Sequence, residues 1–315
     1  MKNKIIYSVI VPVFNEEEVL YEFYKRLTKT MEELKEKYES IFVNDGSKDK
    51  SLEIMEKIHS EDERIKIIDF SRNFGHQIAI TAGMDYASGE AVILIDADLQ
   101  DPPEIIPRFV EKWKQGFDIV YGIRKEREGE PILKKVTAAL FYRILKKITS
   151  IDIPADAGDF RLIDRKTIDI FKKIREKNRF IRGLSSWVGF NQIGVTYKRE
   201  KRFAGYTKYP FKKMLTFAFD AIFSFTNLPL RIATIFGFFV AGLSFSYIIY
   251  LLILNVFFNT PIQGPTSLIT GVLFLGGVQL ISIGIIGEYV GRISEEVKNR
   301  PLYIINKIID KEKNN

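Results

Sequence analysis

The chain has 315 residues, with 47 Lys and Arg against 40 Asp and Glu for a net charge of +7, two His and no Cys. That length supports one large or two ordinary domains with a real core, and a hydrophobic share of 46% excludes a disordered chain. The missing cysteines exclude disulfides, thiolate chemistry and Cys-ligated metals, and so few histidines leave any metal to oxygen ligands.

Tyr7–Val13 (YSVIVPV) is an apolar, β-branched run and predicts a buried strand. Residues 16–38 place Val19, Leu20, Phe23, Leu27, Met31 and Leu34 at helical spacing beneath a charged face. A short strand over 41–43 then runs into Asn44-Asp45-Gly46-Ser47. Helices are expected over 50–59, 76–87 and 103–115, alternating with strands over 65–70, 91–95 and 117–121. Such alternation predicts an α/β domain with a mostly parallel sheet and right-handed crossovers. Ligands of these sheets bind beyond the carboxyl ends of the strands. The polar clusters fall at those ends: Asn15-Glu16, Asn44 to Ser47, Ser71-Arg72-Asn73 and Asp96-Ala97-Asp98.

Neither the dinucleotide fingerprint G-x-G-x-x-G nor a P-loop follows the first strand, which argues against nicotinamide and P-loop chemistry. An acidic cluster takes their place. Asp96 and Asp98 bracket Ala97, a spacing suited to gripping Mg2+ or Mn2+ while substrate phosphates complete the shell, with Gln100 and Asp101 close behind. Asp45 from the neighbouring strand adds a third carboxylate whose repulsion a cation or donor would have to relieve. His59 and His76 read as structural or exposed residues, and Trp113 and Trp187 as packing residues. Residues 125–130 (KEREGE) read as a mobile acceptor loop, and 133–148 as a basic amphipathic helix suited to an anionic membrane surface.

No charge occurs from Ile232 to Gly287. A polar, proline-containing break divides the stretch into 232–254 and 268–287, each long enough to cross a hydrocarbon core of roughly 30 Å. Basic residues crowd 198–213 and recur after the second span, so both termini are expected on the cytoplasmic side. The N-terminal residues do not read as a secretory signal. The expected organisation is a cytoplasmic domain over 1–214, a juxtamembrane segment over 215–230, two spans within 231–290 and a cytoplasmic tail over 291–315. The basic excess beside the spans suits lipid head groups and a phosphate substrate better than nucleic acid.

SVIVPVFNEEE, VNDGSKDKS, SRNFGH and DADLQDPPE together resemble the family-2 glycosyltransferases of GT-A fold. GDFRLIDR, KRFAGYTKYPFKK and the two spans narrow the resemblance to polyprenyl-phosphate glycosyltransferases, the dolichyl-phosphate mannose synthases and the bactoprenol glucosyltransferases of the GtrB type. The resemblance implies that Pro12, Phe14, Glu16 and Val43 line the base and ribose pocket, with Asp45 and Arg72 at the base. Asp96, Ala97, Asp98 and Gln100 would hold metal and diphosphate, and Arg124, Arg202 and Lys208 phosphates of donor or acceptor. Asp159 stands where the family has its catalytic aspartate. Because a lipid monophosphate is already anionic at neutral pH, Asp159 is expected to position a substrate rather than to remove a proton. A single displacement would invert the anomeric centre. The resemblance also implies a homo-oligomer, a tetramer, and a nucleotide-sugar donor, with UDP-glucose favoured over GDP-mannose. A processive polysaccharide synthase would carry Q-x-x-R-W, which is lacking, and a non-catalytic adaptor would have lost the acidic residues, which are intact.

Overall fold

Strand β1 (Tyr7–Val13) is buried along its whole length because helices cover both faces of its sheet. Tyr7, Val9, Val11 and Val13 join one core layer with Phe23 and Met31 of α1 (Leu20–Glu33) and Phe109 of α4 (Ile106–Lys114). The alternate residue Ile10 joins the other layer, with Ile80 of α3 (His76–Tyr86), Ile168 of α5 (Arg165–Phe171) and Leu184 of α6 (Ile181–Trp187). The remaining strands are β2 (Tyr38–Asn44), β3 (Ile65–Phe70), β4 (Ala91–Leu94), β5 (Ile119–Lys125), β6 (Ala157–Asp164), β7 (Gln192–Lys198) and β8 (Ile305–Ile309), and α2 spans Ser51–Glu61. The computed structural model describes residues 4–125, 157–200, 228–258 and 265–310. These belong to two units, Met1–Phe211 with Pro301–Asn315, and Lys212–Arg300.

The sheet runs β7-β5-β6-β4-β1-β2-β3-β8. Pairs β1–β2, β1–β4, β2–β3 and β5–β7 are parallel, whereas β4–β6, β5–β6 and β3–β8 are antiparallel. The mostly parallel sheet expected from the alternation is present. From β1 the order leaves in one direction through β2 and β3 and in the other through β4, so the loops after β1 and β4 flank a topological switch point.

Several element ends differ from expectation for local reasons. Helix α1 starts at Leu20 because residues 14–18 serve as a loop, with Asn15 in a left-handed conformation (φ 54°) and the Glu16 amide donating to Ser51 Oγ at 2.9 Å. It stops before Lys35, also left-handed at φ 56°. The expected 103–115 helix opens as a 3-10 turn over Pro103–Ile105 before α4 begins. Trp113 does pack, edge-on to Tyr7 at 6.0 Å, whereas Trp187 is 61% exposed.

In the second unit, α7 (Leu228–Phe258) and α8 (Pro265–Val297) are in mutual contact and expose apolar side chains such as Phe238, Phe257, Leu280 and Ile281. Their stretches Ile232–Leu251 and Phe274–Val297 are long and apolar enough to cross a bilayer. That outward apolar surface would be untenable in water on a monomer of this size and fits a lipid environment. Helix α8 outlasts the expected span, continuing through an Arg292–Glu288 ion pair. The segment 291–315 is more than a tail: β8 closes the edge of the sheet in the first unit.

Candidate active site

The acidic loop follows β4, the strand between β1 and β6. Because β4 and β6 are antiparallel with Leu94 opposite Arg161, continuing the register brings Asp159 to the position beside Asp96. This is how residues 63 positions apart reach one site, and no local pattern announces it. His76, the first residue of α3, sits between the two carboxylates, with Nε2 3.4 Å from Asp96 Oδ1 and 3.6 Å from Asp159 Oδ2. It lies within the candidate site, where the sequence reading as a structural or exposed residue did not place it. His59 is buried and its ring faces the Ile65 carbonyl, as a structural histidine would.

Arg182 of α6 grips Asp159 with a fork, Nε to Oδ1 at 2.9 Å and Nη2 to Oδ2 at 3.0 Å. Gln77 donates to Asp159 Oδ2 at 3.3 Å and accepts from the Ile181 amide at 2.8 Å, tying the starts of α3 and α6 to the same carboxylate. Burial alone would raise the proton affinity of Asp159, but Arg182 and His76 outweigh it and hold the carboxyl well below the usual range. Burial would lower that of His76, and Asp96 and Asp159 instead push it up to about 9. Asp96 is raised to about 6, by burial and by the charges of Asp98, Asp101 and Asp159, against the opposing His76.

A second layer surrounds these groups. Buried Asp101 accepts from Tyr197 Oη and from Arg124 Nη2, the latter at 3.2 Å. Arg124 thereby lies across Gly158, where a side chain would meet its Nη2 at 2.7 Å. Gly158 in the G-D-F run is thus small because a guanidinium occupies the space. Arg199 Nη2 donates to Gln100 Oε1 at 2.7 Å, so Gln100 would have to exchange that partner to reach a cation.

The expected base pocket lies at the ends of β1 and β2, where Pro12 and Val43 face each other in register. Phe14 and Glu16 are half-buried in the loop beyond, and Ala97 is buried. Asp45 is buried, and its carboxylate accepts from the amides of Phe74 at 2.6 Å and Gly75 at 3.0 Å. Burial raises its proton affinity and these amides only partly offset the rise. Gly46 is left-handed at φ 67°, and a Cβ there would meet Arg72 C and Asn73 N at 2.5 Å, so the loops after β2 and β3 touch backbone to backbone. Arg72 is exposed and lies over the Phe74 ring at 4.0 Å. Leu99, buried within the acidic loop, is left-handed at φ 58°, a strained conformation for a leucine of the sort that clusters at functional sites. Arg202, Lys208, the 133–148 helix, most of 125–130 and most of the juxtamembrane segment lie outside the described residues.

The donor set suits a hard divalent cation. Asp96 and Asp98 stand two apart at a strand end, a spacing of hard oxygen donors that a divalent cation can bridge. Among the described residues no group of three or more His, Asp or Glu side chains is arranged to hold a metal ion.

Residues 8–171 match the family model for glycosyl transferase family 2, and the chain belongs to that family, with its GT-A fold. Residues 228–293 match the GtrB C-terminal hairpin. The chain is 55% identical to the uncharacterized glycosyltransferase YkcC of Bacillus subtilis, over 98% of this chain and 95% of that one. It is 45% identical to the SfII prophage-derived bactoprenol glucosyl transferase of Shigella flexneri, over 95% and 97%. To the prophage bactoprenol glucosyl transferase homolog of Escherichia coli it is 43% identical, over 96% and 98%.

Proposed function

We propose that this glycosyltransferase moves a hexose from a nucleotide sugar, UDP-glucose being favoured, to a polyprenyl phosphate at the cytoplasmic face of a membrane. The observation that carries the reading is the joint presence of an acidic donor site and an apolar two-helix hairpin in a chain 45% identical to a bactoprenol glucosyl transferase. An acceptor carried by lipid calls for an anchored enzyme, and a soluble acceptor would not.

The phosphate oxygen of the acceptor attacks the anomeric carbon, the bond from that carbon to the diphosphate breaks, and the nucleoside diphosphate leaves with the electron pair. Pro12, Phe14, Val43 and Asp45 bound the space for base and ribose, and Arg72 lies at its rim. Asp96 and Asp98 would hold Mg2+ or Mn2+, which when bound supplies charge neutralisation to the leaving diphosphate. Arg124 is fixed by Asp101 and Tyr197 so that its positive charge faces the same region. Asp159, kept ionised by Arg182 and His76, accepts hydrogen bonds from hydroxyls of the sugar and orients it.

A single displacement on an α-linked donor gives a β-linked product. Full-length protein incubated with UDP-glucose and undecaprenyl phosphate is expected to yield a β-glucosyl phosphate lipid, read from the anomeric coupling constant of the purified product. An α-linked product would contradict the single displacement.

A further inference from the structure

Strand β8 lies outside both segments that match family models, 8–171 and 228–293. Its residues nevertheless connect to the loops assigned above to the nucleotide. The β3–β8 pairing shifts register between Asp69 and Phe70: Lys307 opposes Asp69 and Ile305 opposes Phe70, leaving Asn306 as the extra residue. Bulges of this kind re-aim a side chain. Here Asn306 Nδ2 donates to Asp69 Oδ2 at 2.8 Å. Asp69 is buried, and its other oxygen accepts from Asn44 Nδ2 at 2.7 Å. Asn44 Oδ1 accepts from the Ser47 amide at 3.1 Å, and Ser47 Oγ accepts from the Asn15 amide at 3.0 Å. One chain of hydrogen bonds thus crosses the amino end of β8 and the carboxyl ends of β3 and β2 and reaches the loop after β1.

A second route runs beside it. The Ser71 amide donates to the Ile304 carbonyl at 3.0 Å, at the point where the chain leaves β3. The Tyr303 ring stacks on Phe70 at 5.3 Å, and its hydroxyl donates to Asp85 Oδ2 at 2.8 Å. Phe70 in turn meets Phe74 edge-on at 5.6 Å, and the Phe74 amide is a donor to Asp45. The first route ends on Asn15, between Phe14 and Glu16, and the second on Asp45, so both reach the loops of the proposed base pocket.

We propose that Tyr303 and Asn306, on the segment that follows the hairpin, are positioning residues of the nucleotide pocket, holding the loops after β1, β2 and β3 from the far edge of the sheet through Asp69 and Phe70. The proposal rests on the nucleotide-sugar reading of the site. It makes the tail part of donor recognition and gives it no contact with the acceptor.

The test uses the full chain in lipid nanodiscs, with UDP as the probe in titration calorimetry and separate KM values for donor and acceptor. Asn306→Ala is expected to weaken UDP binding and raise the donor KM by about tenfold, the scale of a lost hydrogen bond to a buried carboxylate, with the acceptor KM within twofold. Asn306→Asp, which sets two carboxylates face to face, is expected to lose more. The exchange Asp69→Asn with Asn306→Asp re-forms an amide–carboxylate pair and is expected to return both values to within threefold of the parent. Unchanged UDP affinity and donor KM in Asn306→Ala would overturn the proposal. So would donor and acceptor KM rising together with a lowered unfolding temperature that the exchange fails to restore, since that marks plain structural damage. Parent protein that binds neither UDP nor GDP would refute the nucleotide reading itself, an outcome separable from parent that binds UDP and a variant that binds it equally.

Discussion

Asp98→Ala is expected to lower sugar transfer by about 10³-fold or more, equivalent to roughly 4 kcal/mol of lost transition-state stabilisation. Asp98 is half-buried in the loop after β4, and its Oδ1 accepts from the Gln100 amide at 3.1 Å. Losing that turn bond costs on the order of 1 kcal/mol, too little to unfold a domain with two core layers. The chemistry loses much more. In the proposed reading Asp96 and Asp98 together would supply the carboxylate pair at the diphosphate, and Asp96 alone stands beside His76, which already offsets part of its charge. A readout independent of turnover accompanies the rate: Mg2+ is expected to tighten UDP binding to the parent and to leave Asp98→Ala unaffected. Equal Mg2+ enhancement in the two proteins would show that Asp98 is not part of the cation site.

Asp159→Asn is expected to cut kcat by about 10²-fold while keeping an acid limb in the pH–rate profile. The substitution keeps an oxygen for one bond from Arg182 and removes the charge that organises Arg182, His76 and Gln77 around one point. The sign of the pH argument follows from the environment of Asp159. Its proton affinity is held well below the usual carboxylate range, so it is ionised throughout the neutral region and is a poor acceptor for a proton. An acid limb in the parent therefore belongs to the acceptor, whose phosphate titrates near pH 6, and to Asp96, raised to about 6, and the variant should keep it. Loss of that limb in Asp159→Asn would instead identify Asp159 as a general base.

The parts of this molecule that were legible in sequence are those encoded locally. The strand–helix alternation, the polar residues at strand ends and the charge-free C-terminal stretch all depend on neighbours within a few turns of chain. The site's assembly does not. Asp159 reaches Asp96 through an antiparallel register between β4 and β6, a pairing inside a sheet whose pattern reads as parallel. Arg182 belongs to a helix of seven residues, too short to show a clear period. His76 had a usable signal, since S-R-N-F-G-H closes the third strand as the other polar clusters close theirs, and Gly75 with φ 104° before it marks a special turn. Strand β8 also had one: Ile304-Ile305-Asn306-Lys307-Ile308-Ile309 is apolar and β-branched, but it follows a long helix and pairs with a strand more than 230 residues earlier. An isolated tryptophan such as Trp187, 61% exposed, does not reveal from sequence which side of its helix meets the core.

The most direct test is transfer of radiolabel from a panel of nucleotide sugars into organic-extractable lipid, by purified full-length protein with undecaprenyl phosphate and Mg2+ or Mn2+. The expected result is divalent-cation-dependent labelling of the lipid from one donor, UDP-glucose, absent when the polyprenyl phosphate is omitted and lost in Asp98→Ala. Protein that binds nucleotide yet labels no lipid from any donor, or that labels it equally well with chelator present, would contradict the account.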